Sequence, residues 1–226
     1  MHSDTTVTLN RKDIYGPVHK GLRHAHALLI SRIGATDFAG DISALAVALR
    51  RHLALAATHL ADEETFLHTA LEQRAPGATA RLDQQHGRHR EHLAALETTL
   101  EQIEGGESTP AAGKRLYDQF VAFVADDLDH MAEEETVCFP LLCRHFSDEE
   151  LAEIEREIVQ SLSPEMASGF AEIMLVAGNV HERAALLDKL RAGMPTPAYD
   201  QLFRSVVLPV SSSADIERFQ ALGLAA

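Results

Sequence analysis

Cysteine is nearly absent from this chain of 226 residues, where Cys138 and Cys143 are the only two. That excludes a disulfide framework and a thiolate zinc site, and leaves the pair as inert packing residues near the end of one helix. Cations are scarce as well: 20 Lys and Arg stand against 34 Asp and Glu, for a net charge of −14 with histidine neutral. A surface of that sign repels polyanions, so nucleic acid and anionic membrane surfaces are excluded as partners. No apolar run approaches the roughly 18 residues that a membrane-spanning helix needs. The opening MHSDTTVTLNRKD has no apolar segment behind a basic start, so it gives no export signal and predicts a cytoplasmic protein. Low-complexity tracts are missing, and an apolar share of 46% is that of a folded globular chain.

What is plentiful is histidine, 13 residues in all, with only His181 falling beyond His145. Apolar spacing of three and four decides where these side chains point. A first helix is predicted from about Ile14 to Ile33, ended by Gly34 in a left-handed cap, with core stripe His19, Leu22, His26, Leu29 and Ile33. A second begins at Asp41 or Ser43 as N-cap and runs to Arg74, its stripe being Leu45, Leu49, His52, Ala56, His59, Glu63, Phe66 and Ala70. The third spans Ala78 to Gly105 with Leu82, His86, His89, Leu93, Leu96, Leu100 and Ile103 inward. The fourth runs to about Cys143 through Leu116, Phe120, Phe123, Asp127, His130, Glu134, Val137 and Leu141, with a kink or end at Pro140. Four such helices with short connections predict an all-α fold, an up-down four-helix bundle over residues 10–146. Residues 147–226 read as a helical C-terminal extension of unassigned role, opening with a capping box at Ser147 and including a helix capped by Asn179.

A bundle interior is normally apolar, because burying an ionisable group costs several kcal/mol unless something compensates. Here the stripes carry His19, His59 with Glu63, His86 with His89, and His130 with Glu134. The spacings His59-x-x-x-Glu63 and His130-x-x-x-Glu134 each put an imidazole and a carboxylate one turn apart on one helical face. Two carboxylates with four or five neutral imidazoles at one depth are a coherent donor set for two divalent ions, which supply the missing compensation. Mixed nitrogen and oxygen donors suit iron, manganese or zinc. Asp127, one turn before His130, is placed to hydrogen-bond a ligand imidazole, and His26 and His52 to stand behind the ligands. His24, His68 and His145 read as surface or helix-end residues, His92 as exposed, and Glu64, Glu133 and Glu135 as a solvated face.

Those residues in their apolar frames, DIYGPVHKGLR, HLADEETFLHTAL, DQQHGRHREHLAAL and HMAEEETVCFPLL, resemble the hemerythrin-like (HHE cation-binding) domain family. The resemblance implies two non-haem iron ions with an oxo or hydroxo bridge, zinc or manganese being substitutes. It implies that Glu63 and Glu134 bridge, that His19 and His59 serve one ion, and that His86 and His130 serve the other. Hemerythrin proper has third-helix histidines four apart and an aspartate five after the fourth-helix histidine. This chain has His86 and His89 three apart and Glu134 four after His130, so reversible oxygen carriage does not carry over automatically. His89 stays open between a ligand, a hydrogen-bond partner of one, and a core residue.

The function the resemblance implies is binding or sensing of dioxygen, nitric oxide or peroxide. Turnover by the same pair, a di-iron oxidoreductase reducing one of these molecules, is the second reading. A zinc-stabilised or metal-free interaction module is the third. The histidine-poor C-terminal helices leave room for a protein partner or a homo-oligomer.

Overall fold

The computed structural model describes residues 11–225, and every regular element among them is helical, so the chain is all-α. The stretch read for an export signal lies, over residues 1–10, outside the described residues. No helix among the described residues is long and apolar enough to cross a membrane. The chain divides into two compact units, one of residues 11–16 with Ala25–Ser163 and one of Pro17–His24 with residues 164–225.

Four helical rods build the first unit. Helix α1 (Gly16–Ala35) contributes Leu29 and Ile33 to its core. The second rod is α2 (Ser43–Asp62), a π-helical turn over Glu63–His68, and α3 (Thr69–Arg74). The third is α4 (Ala80–Gln102), and the fourth is α5 (Pro110–Glu133), a π turn over Glu134–Cys138, and α6 (Phe139–His145). Helix α7 (Asp148–Ser161) completes the unit, opened by the capping box between Ser147 and Glu150. Leu49, Leu96, Leu100, Leu116, Phe120 and Phe123 fill one end of the rods, and Tyr15, Leu67, Leu71, Leu82, Cys138 and Leu142 fill the other. Each fully buried leucine contributes roughly 2 kcal/mol by leaving water. Between these apolar ends, along every rod, lie the histidines and carboxylates.

Sequence and structure differ at three points of the rods. Gly34 does not end α1 in a left-handed turn; the helix continues to Ala35, and Gly34 lets the Tyr117 ring come within 3.1 Å of where a Cβ would be. The N-cap of α2 is Ile42, with Asp41 one residue earlier accepting the Ser43 amide at 2.9 Å. The third difference concerns phase. A π turn holds an extra residue, which rotates everything beyond it by about 100° relative to a continuous α-helix. Beyond Glu63 the buried positions are therefore Leu67 and Leu71, not Phe66 and Ala70; beyond Glu134 they are Cys138 and Leu142, not Val137 and Leu141. The second π turn also accommodates Pro140: the Phe139 amide donates to the Glu134 carbonyl, one residue further back than in an α-helix.

The second unit contains α8 (Pro164–Ala177), α9 (Val180–Gly193), α10 (Thr196–Leu202), a π turn over Phe203–Val207, a short 3-10 turn over Leu208–Val210, and α11 (Ser213–Ala221). Asn179 and Ser212 close capping boxes with Glu182 and Asp215. Leu175, Leu187, Tyr199, Phe203, Val207 and Phe219 form its core. Within this unit Gly21 faces Ile173 so closely that a Cβ would stand 2.9 Å from it, and Lys20 pairs with Glu182 at 2.7 Å.

Candidate metal centre

The second and fourth rods carry the same local device. His59 lies in the last turn of α2 and Glu63 opens the π turn; His130 lies in the last turn of α5 and Glu134 opens the other. The segments read H-L-A-D-E-E-T and H-M-A-E-E-E-T. In both, the threonine hydroxyl donates to an alanine carbonyl four residues back, Thr65 to Ala61 at 2.7 Å and Thr136 to Ala132 at 2.6 Å. Such back-bonding bends a helix, and here it falls where each turn widens.

Six of the seven candidate ligands come together. The donor atoms of His19, His59, Glu63 and Glu134 lie within 4.8 Å of one another, and so do those of Glu63, His86, His130 and Glu134. Both carboxylates belong to both groups. Every one of these side chains is buried, His19, His86, His130 and Glu134 completely. Glu63 Oε1 is 3.1 Å from His59 Nε2, its Oε2 is 3.6 Å from His86 Nε2, and Glu134 Oε2 is 3.5 Å from His130 Nε2. His86 Nε2 and His130 Nε2 stand 3.0 Å apart. His89 is the exception. It is fully buried beside His130, with ring centroids 4.9 Å apart, but belongs to neither group.

The outer edges of the imidazoles explain their orientation. His130 Nδ1 lies 2.9 Å from Gln85 Oε1, and the Gln85 amide donates to Glu133, which Arg81 holds at 2.7 Å. Amide oxygen only accepts, so His130 carries a proton on Nδ1 and turns its Nε2 inward. His86 does the same: Nδ1 lies 3.1 Å from Glu64 Oε1, and Arg90 holds that carboxylate at 2.6 Å. Glu64 and Glu133 are thus structural partners of the imidazoles, not members of a free solvated face. His68 is buried too, stacked on His86 at 5.0 Å with Nδ1 3.0 Å from Asp83, because the π turn rotates it inward from the surface position expected of it. Asp127 bonds His26 at 2.7 Å instead of one of the grouped imidazoles.

The buried carboxylates make this a place that favours positive charge. Burial lowers His130, but the carboxylates of Glu63 and Glu134 outweigh it, so its pKa is raised. Burial pushes His86 down to about 4 despite Glu63. Tyr15, which the sequence reading overlooked, is buried one turn before His19, and its hydroxyl is held well above the usual range by burial and by Glu134 and Glu63. Gln85 was equally overlooked; it sits one turn before His89 on α4, where a buried polar residue flanking a histidine is the signal that marks it.

The model of the hemerythrin HHE cation-binding domain matches residues 17–142, and matches 78–190 as well. The F-box/LRR-repeat protein 5 of Bos taurus is 26% identical over 149 residues, which is 65% of this chain and 21% of that protein, so the chain spans about a fifth of that relative's length. No solved structure is a significant match. With more than half of its length matched and histidine–glutamate groups of metal-binding geometry in its core, the chain belongs to the hemerythrin HHE cation-binding domain family.

Proposed function

We propose that the first rods hold two iron ions, with Glu63 and Glu134 between them, His19 and His59 on one and His86 and His130 on the other, and that the pair binds or senses dioxygen, nitric oxide or peroxide. The observation that carries this reading is the sharing of both carboxylates by both four-residue groups, the arrangement two bridging ligands require. The donor set fits: nitrogen and carboxylate oxygen without thiolate suit iron, with zinc and manganese as substitutes. When bound, the iron pair supplies open coordination positions and electrons to a small molecule. The protein's own part is to exclude water and to turn the Nε2 atoms of His130 and His86 inward through Gln85 and Glu64.

Turnover is the second reading, and Tyr15 favours it. A phenol kept protonated beside Glu63 and Glu134 is a hydrogen donor that reduction of peroxide or dioxygen would use. Rapid mixing of anaerobically loaded protein with dioxygen, and separately with peroxide, distinguishes the two. An adduct that reverses on deoxygenation supports binding; continued consumption of the oxidant supports turnover. A purified protein that takes up no iron overturns both readings.

A further inference from the structure

His68 is buried in the first unit and belongs to neither donor group. An uninterrupted helix would leave it at the surface, and the π turn over Glu63–His68 carries it inward. Once inside, its ring is held from two directions. Nδ1 lies 3.0 Å from Asp83 Oδ1, and the ring stacks on that of His86, with centroids 5.0 Å apart and planes 23° from parallel. Ring contacts at this separation are attractive. The remaining nitrogen, Nε2, is buried and meets no hydrogen-bond partner among the described residues. The hydrogen bond that sets the rotation of the His68 ring is therefore the one to Asp83.

Asp83 can serve as that anchor because the start of α4 is itself well built. Its amide donates to the Thr79 carbonyl at 2.9 Å, and Glu72 accepts the amides of Gly77 at 2.7 Å and Thr79 at 2.9 Å. The Asp83 side chain is 53% exposed, so its removal opens no cavity in the core.

His86 has a use for such a backing. Its Nδ1 lies 3.1 Å from Glu64 Oε1, but a hydrogen bond at one edge leaves the tilt of the ring to whatever packs on its faces. His130 meets it edge-on at 4.6 Å, and His89, the other stacked ring, is farther away at 6.4 Å. We propose that Asp83 and His68 are a positioning pair: Asp83 pins the His68 ring, and that ring holds the plane of His86 so that its Nε2 stays directed toward Glu63 and His130. The inference rests on the reading of His86 as a metal ligand. Its effect falls on one ion, because His86 belongs only to the group with Glu63, His130 and Glu134.

Titration of the metal-free, full-length protein with cobalt(II), followed by the visible absorption of the bound ion, tests this. In His68→Ala, with folding checked by circular dichroism, one equivalent is expected to bind about 10-fold more weakly and the other as before. A general loosening of the fold would weaken both. His68→Phe keeps a flat ring on His86 and is expected to recover most of the loss. Asp83→Ala should weaken the same equivalent to a smaller degree, and Asp83→Asn, which keeps an acceptor oxygen, should restore it. Unchanged binding in a folded His68→Ala, equal losses from both equivalents, or a His68→Phe as weak as His68→Ala overturns the proposal. If His68→Ala does not fold, the half-exposed Asp83 carries the test, and unchanged binding in Asp83→Ala overturns it. Carbon-13 relaxation of the His86 ring in the metal-free protein is the second readout. Greater ring motion is expected in His68→Ala and Asp83→Ala, and unchanged motion in both overturns the pair. A wild type that takes up no metal would sink the metal reading and still leave this measurement to decide the positioning.

Discussion

The interiors of the two units solve the problem of buried charge in different ways. Among residues 164–225 the buried core is apolar save for Arg183, whose guanidinium donates to the carbonyls of Leu175 at 2.8 Å, Val176 at 3.3 Å and Val210 at 2.9 Å. These include the last carbonyls of α8, the end of a helix that favours a cation. The charge is met by backbone that the fold has already placed and by the Asp215 carboxylate, whose Oδ2 lies 3.9 Å from Nη1. In the first unit, Glu63 and Glu134 are buried against imidazoles that carry no net charge unless protonated. Their compensation is conditional on protons or on a metal. A unit of the first kind is complete when folded, whereas one of the second kind is coupled to pH and to ion concentration.

Removing a shared carboxylate should break that contrast most severely. Glu63→Ala is expected to abolish paired metal binding, reducing two equivalents of iron to one or none by elemental analysis after anaerobic loading. Retention of two equivalents sinks the bridging assignment. Next in size is removal of metal from the wild type. Ligand present at a thousand times its dissociation constant stabilises the folded state by about 4 kcal/mol. Chelation should therefore lower the melting temperature, and hydrogen exchange should show lost protection in the peptides carrying 59–68 and 130–138 while residues 180–221 stay protected.

A third measurement concerns pH in the metal-free protein. His52 titrates at about 3 when folded and at 6.5 when exposed, because burial and His26 oppose its charging. As pH falls below 6.5 the unfolded chain takes up this proton first, so stability declines across that window down to about 3. The contribution amounts to about 2 kcal/mol between pH 7 and 5. Urea unfolding of His52→Leu should show a correspondingly shallower pH dependence, and an unchanged slope would remove His52 from the account. The smallest effect is expected in the second unit. Arg183→Met removes the donor to the carbonyls of Leu175, Val176 and Val210 and is expected to cost about 1 kcal/mol in urea unfolding with iron content untouched.

Much of the donor set was legible because helical spacing is a local property. The i and i+4 pairs His59 with Glu63 and His130 with Glu134 share a face in any helix, and their apolar frames fix which face is inward. The failures cluster just beyond those glutamates. Phe66, Ala70, Val137 and Leu141 were expected inside and Leu67, Leu71, Cys138 and Leu142 are there instead, a displacement of one residue in each rod. An uninterrupted 3.6-residue period cannot anticipate a widened turn, and His68 was misplaced for the same reason. Glu64 and Glu133 were assigned to solvent because their role lies in what Arg90, Arg81 and Gln85 do on another rod.

By itself the sequence determined the helices, their order, and which imidazoles and carboxylates face inward, since periodicity and capping act over a few residues along one chain. Only tertiary structure decided that Glu63 and Glu134 are common to both donor groups, that His89 stands apart beside Asp127, and which nitrogen His130 and His86 turn inward. Those are relations between side chains on different rods. They depend on the depth and rotation at which the rods pack, and the π turns set that rotation in the interior.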